Sequence, residues 1–158
     1  MTKPSILFAA GALAVLGSAG LARADTVTLH SGYKKEGTWR EVGDGPTVWS
    51  GTYWFFGFSE TGGGFGHRLA STCPATVMVA DGTARYAGFC VKTDPDGDQI
   101  FSSVQGVSAP DKPFAGNEVY ISGTGKYEGI KGEGDFTCDA VGPDEQGYCE
   151  HHVTYTLP

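Results

Sequence analysis

The residues of this 158-residue chain that could do chemistry fall into a few short groups. The run Asp94-Pro95-Asp96-Gly97-Asp98 sets three carboxylates at alternate positions, as a calcium loop does. An EF-hand loop needs glycine at its sixth position and glutamate at its twelfth, where this chain has Gln99 and Gln105. The run therefore reads as a solvated hairpin turn, and no metal is expected. His151 and His152 are adjacent, and neighbouring strand residues point to opposite faces, so the pair cannot chelate one ion. His151 shares its face with Cys149, Val153 and Tyr155, which marks it as inward-looking. His67 and Arg68 are split in the same way. In a pocket, Arg68 would recognise a carboxylate and His67 would exchange a proton near neutral pH, while an exposed polar turn is the alternative. Glu118, His67 and His151 are the acid-base candidates, and burial would have to move their pKa toward working pH.

Aromatic residues form the largest ligand-binding feature. Val48–Phe58 (VWSGTYWFFGF) reads as a long strand with Val48, Thr52, Trp54, Phe56 and Phe58 on one face. Trp49, Tyr53 and Phe55 occupy the other. Apolar groups on both faces imply burial on both, one in an interior and one against a partner chain or covering segment. Trp49, Tyr53, Trp54 and Phe55, with Arg68 and Tyr120, are the candidate ligand-binding set, because aromatic rings stack on planar or apolar ligands. Core packing or an oligomer interface is the alternative. The chain has no nucleophile elbow, phosphate loop, HExxH or CxxC motif, and no cofactor is expected.

Residues 1–24 read as a secretory signal peptide. Lys3 supplies the positive start, Ile6 to Leu16 an apolar run too short to span a bilayer, and Ala22-Arg23-Ala24 a small-x-small cleavage site. Cleavage leaves 134 residues, read as one domain (25–158), with 9 basic against 18 acidic side chains. Such an acidic surface keeps an exported protein soluble and repels phosphate backbones, so neither nucleic acid nor membrane insertion is expected. A periplasmic or secreted location follows. Four cysteines in an oxidising compartment favour two disulfides, for which three connectivities exist. Sequential pairing, Cys73 with Cys90 and Cys138 with Cys149, would staple two hairpins.

Positioning these residues falls to strands, because nothing after residue 24 reads as helix. Short beta-branched and aromatic runs alternate with Gly, Pro, Asp and Asn. The expected strands are Thr26–His30, Gly37–Val42, Val48–Phe58, Phe65–Ser71, Thr76–Ala80, Ala84–Thr93, Gln99–Gly106, Glu118–Ser122, Gly129–Cys138 and Tyr148–Leu157. Asp81-Gly82 is a type I′ hairpin signal, and Pro110–Pro113 an exposed loop. In the stretch GTGKYEGIKGEGDF, Gly123–Lys126 reads as a turn and Gly129–Cys138 as a strongly curved strand. Repeated glycine-bearing bends favour a closed antiparallel barrel of about eight strands over a sandwich.

The segments VYISGTGKYEGIKGEGDF (119–136) and AGFCVKTDPDGDQIFSSVQG (87–106) resemble the allene oxide cyclase-like barrels, relatives in shape of lipocalins and dirigent proteins. The resemblance covers roughly a third of the chain after the signal and implies an exported, bacterial-type member of that fold. It places no polarising carboxylate–amide pair of the plant cyclases on this chain. The functional expectation is a small, largely apolar or aromatic ligand held in the barrel, with a homo-oligomer as a further outcome of the outer aromatics. A cofactor-independent cyclase, isomerase or lyase is the alternative, and a filled structural barrel the second.

Overall fold

The computed structural model describes residues 23–109, 112–141 and 146–158. The expected signal peptide, apart from Arg23 and Ala24, and the Pro110-Asp111 half of one loop lie outside the described residues.

Eight strands follow in chain order: β1 Asp25–Glu41, β2 Thr47–Ser59, β3 Leu69–Ala80, β4 Thr83–Thr93, β5 Gln99–Ser108, β6 Phe114–Gly123, β7 Lys131–Val141 and β8 Gln146–Thr156. Each pairs antiparallel with the next, and β8 returns to β1 to close the barrel. Closure satisfies the backbone groups that an open sheet would leave unpaired along its edges. A single 3-10 turn, Gly125–Tyr127, is the helical element among the described residues, at the glycine-rich turn expected there. None of the described helices is long and apolar enough to cross a membrane.

The barrel agrees with the sequence reading, but several boundaries differ. Thr26–His30 and Gly37–Val42, all but Val42 itself, are parts of one 17-residue strand. The charged segment between them breaks the apolar pattern without breaking the ladder, because Lys34 and Glu36 point into solvent and Tyr33 and Lys35 face inward. Phe65–Ser71 and Thr76–Ala80 likewise merge into β3, which starts only at Leu69. Gly64, Gly66 and Arg68 take positive φ (73°, 77° and 63°), which turns Phe65–Arg68 off the ladder. Strand β7 starts at Lys131 rather than Gly129, whose φ of 78° ends the preceding turn. Asp81 and Gly82 both have positive φ, as a type I′ hairpin requires.

Inward residues form two layers. The upper one gathers Trp49, Tyr86, Phe136 and both disulfides, with Tyr53, Phe55 and Phe114 packed against it. Trp49 is fully buried because Gly37 and Gly51 leave room for its indole. A Cβ on either glycine would stand 2.5 Å from the ring. The lower layer holds Leu29, Leu69, Ile100, Tyr120, Tyr127, Ile130 and Val153. It plugs one end of the barrel. Phe65, from the loop after β2, stacks on Tyr155 at 3.8 Å and meets Tyr127 edge-on.

The Asp94–Asp98 turn is part of that plug rather than a freely solvated hairpin. Asp94 is buried. Its Oδ1 accepts the N–H groups of Asp96 (2.9 Å) and Asp98 (3.0 Å), and its Oδ2 accepts the Tyr127 hydroxyl (3.1 Å) and pairs with Lys126. Lys126 also reaches Asp96 at 2.6 Å. Burial works against the Asp94 charge, but the bonds from Lys126, Tyr127 and the two backbone donors outweigh it and hold the carboxyl below its ordinary value.

Both disulfides are as expected, Cys73–Cys90 and Cys138–Cys149, each joining neighbouring strands at a Cα separation of 4.1 Å. They close segments with sequence separations of 17 and 11 residues, so each is expected to contribute about 3 kcal/mol by restricting the unfolded chain. Opening one with a Cys138→Ser/Cys149→Ser variant should lower the denaturant unfolding free energy by roughly that amount, with β-sheet circular dichroism retained. The Asp94 latch has its own signature. Its contribution is complete above the unfolded carboxyl value of 3.8 and is lost as pH falls through the lower folded value. Thermal unfolding followed from pH 5 to pH 2 should therefore fall more steeply for the native chain than for Asp94→Asn, which has no charge to lose.

Candidate functional site

The site is built by strand alternation. Between the two apolar layers every strand contributes one inward position, and six of the eight are polar: Ser31 on β1, Ser71 on β3, Lys92 on β4, Ser102 on β5, Glu118 on β6 and His151 on β8. Gly57 on β2 and Gly134 on β7 complete this girdle. Successive members are either directly opposed in the ladder, as Ser71 and Lys92 or Glu118 and Gly134, or diagonal neighbours. A tilted barrel brings such diagonals to one level.

Above the girdle lies a cavity of about 290 Å³. Tyr53, Phe55, Val77, Tyr86 and Phe114 make its apolar wall, and Ser31, Ser71, Lys92, Glu118 and His151 supply the polar part. Trp39, Val79, Ala84 and Ser108 mark its mouth, at the end opposite the plug. There Lys35 holds its ammonium 5.4 Å from the centre of the Trp49 ring and 5.9 Å from that of Trp39.

Glu118 is the electrostatic centre. It is 2 % exposed, and its Oε1 accepts the Ser102 hydroxyl at 2.5 Å and pairs with Lys92 Nζ at 2.9 Å. Lys92 is itself only 8 % exposed. Two such charges are sustained in a low-dielectric wall because each compensates the other. Two strands on from Glu118, His151 Nε2 lies 3.1 Å from the Ser31 hydroxyl, and its ring packs 5.8 Å from Phe136. Burial, reinforced by the Lys92 ammonium and opposed by Glu118, lowers its pKa to about 4. His151 is thus neutral across the physiological range. Burial, with smaller contributions from Tyr53 and Glu118, pushes the Tyr86 phenol far above its ordinary value and keeps it a hydrogen-bond donor.

The candidates drawn from sequence separate by face. Tyr53, Phe55, Glu118 and His151 line the cavity. Trp49 packs behind Tyr53, ring centres 5.1 Å apart, and Tyr120 belongs to the plug below. Trp54 lies on the outer face under Lys34, at 4.9 Å. His67 and Arg68 stand in the loop after β2. His67 is edge-on to Phe58 with Nδ1 3.5 Å from Ser59 Oγ, and Arg68 is exposed; neither borders the cavity. Sequence reasoning missed Lys92, Ser31, Ser71 and Ser102. The signal was available for Lys92. Cys90 is joined to Cys73 of the neighbouring strand on the inner face, so the residue two further on must share that face.

No family model and no curated protein matches this chain. Among solved structures, a pterocarpan synthase dirigent protein superposes with a TM-score of 0.53 over 97% of this chain and 98% of its own, at 8% identity. A protein of unknown function from the DUF3224 family of Shewanella oneidensis MR-1 aligns at TM-score 0.47 and 14% identity, over 87% of this chain and 97% of its own. This chain shares the fold of the dirigent barrel. At that identity the likeness extends to architecture alone.

The charge arrangement can be tested through His151. The Glu118→Gln variant removes the neighbour that raises its pKa and should move it below about 4, whereas Lys92→Met should move it up, both read from ring-proton NMR titrations. Because the folded value lies under the unfolded 6.5, the unfolded chain takes the proton first on acidification. His151→Phe should accordingly lose less stability than the native chain between pH 6.5 and pH 4.

Proposed function

We propose that this is an exported barrel of the allene oxide cyclase-like kind, periplasmic or secreted, which binds a small, largely apolar or aromatic molecule in its interior. The observation that carries the reading is the cavity itself. Its wall is aromatic and aliphatic, one end is plugged, and the polar groups converge at the floor. Ligand sites of this kind combine apolar area with a few placed polar groups. A volume of about 290 Å³ suits a molecule of one or two rings. Two disulfides support an oxidising compartment.

The enzyme reading draws support from Glu118 and His151 sharing one apolar cavity with Lys92. A cyclase, isomerase or lyase needs a proton donor and acceptor facing a desolvated substrate. Binding is the better supported of the two, since Glu118 is held in an ion pair and His151 is kept neutral by its surroundings.

Intrinsic tryptophan fluorescence, titrated with a panel of one- and two-ring aromatic compounds, should shift or quench saturably. Ser71→Phe, which pushes a ring into the cavity from β3, should abolish the response while leaving the circular-dichroism spectrum unchanged. A native protein that responds to no member of the panel would overturn the reading. For the enzyme reading, a bound compound must be converted, and conversion must stop in Glu118→Gln or His151→Ala while binding persists.

A further inference from the structure

The girdle carries a constraint on what the cavity can hold, and the constraint deepens the ligand-binding reading on which it rests. Three of its six polar members are serines. Lys92 and Glu118 carry opposite charges and neutralise each other across 2.9 Å. His151 adds no charge at neutral pH. The floor of the cavity is therefore polar and electrically balanced. Lys92 Nζ pairs with Glu118 through a single 2.9 Å contact to Oε1. An ammonium has three N–H donors, and Lys92 borders the cavity.

We propose that the girdle is a subsite for an uncharged hydrogen-bond acceptor, a carbonyl oxygen on an aromatic or alicyclic body, and that it discriminates against carboxylates. A ketone or ester oxygen can accept from another of the three Lys92 N–H groups without disturbing the ion pair. A carboxylate would compete with Glu118 for that ammonium and bring a second negative charge beside a glutamate that is 2 % exposed. In a desolvated wall, like charges at such range cannot both be sustained without a further cation. An amine meets the converse obstacle in Lys92. The nearest other cation on the cavity, Lys35, sits at the mouth over Trp39 and Trp49, two layers from the girdle. The discrimination is built from the pairing, not from shape.

The matched probes 2-acetylnaphthalene and 2-naphthoate separate charge from size. Both are titrated calorimetrically at pH 7.5 into the native protein, Lys35→Gln and Glu118→Gln. The ketone should bind the native protein and Lys35→Gln more tightly than the carboxylate, by about tenfold or more, the equivalent of one buried charge contact. Glu118→Gln, which leaves Lys92 unpaired, should reverse the order. Equal or tighter binding of the naphthoate to Lys35→Gln overturns the proposal and leaves the ligand-binding reading intact. Preference for the ketone that persists unchanged in Glu118→Gln overturns the role given to the ion pair. If neither probe nor any panel compound binds the native protein, the ligand-binding reading itself falls. The native and Lys35→Gln ratios decide the matter even if Glu118→Gln does not fold.

Discussion

Pairing of β1 with β8 is the constraint on which the rest of this molecule depends. From Asp25↔Tyr155 to Lys34↔Gln146 the first and last strands run antiparallel and in register. Once that seam is made, each residue is committed to the interior or the exterior by its parity along its strand. A one-residue slip of β2 would send Trp49, Tyr53 and Phe55 into water and bring Ser50, Thr52 and Trp54 inside. The two disulfides brace the interior wall near one level of the barrel, on β3–β4 and β7–β8. They oppose such slippage on either side of the seam.

Within that frame the two ends of the barrel are treated differently. At one end, loop aromatics and the Asp94–Lys126–Tyr127 contacts fill the opening, so burial and hydrogen bonding reinforce each other. At the other, a cavity of about 290 Å³ lies between the girdle and Trp39, Val79, Ala84 and Ser108. A barrel of eight strands is just wide enough for its side chains to fill it or to leave room for one small ligand. The serines and glycines of the girdle are small, and the cavity lies directly above them.

A buried ion pair is a poor way to gain stability, because apolar residues of similar volume do as well or better. Lys92 and Glu118 are nevertheless desolvated together between two apolar layers, with Ser102 holding Glu118 from the side. The cost of desolvating them is offset locally by their mutual attraction. What the pair supplies beyond that is a fixed local field, and the neutrality of His151 follows partly from it. The outer surface tells a plainer story. Phe89, Ile121, Phe56 and Phe58 stand exposed on the barrel wall. Their parity puts them there, whatever else the surface does.

The amino-acid pattern by itself determined the class of fold and most of its strands. Alternation of apolar and polar residues, Asp-Gly at the β3–β4 hairpin and glycines at the bends are local signals, and local backbone geometry is what they encode. It also placed Trp49, Tyr53 and Phe55 on one face, since strand parity needs no partner to be read. The sequence could not show that Thr26–His30 and Gly37–Val42 were one strand, because continuity there comes from ladders on both sides rather than from residue preference. Nor could it show which of Glu118, His67 and His151 meet. His67 lies in a loop where parity has no meaning, while Glu118 and His151 join Lys92 only because barrel tilt brings diagonal neighbours on different strands to one height. Closure and shear are properties of the whole sheet, and that is why the site was decided in three dimensions.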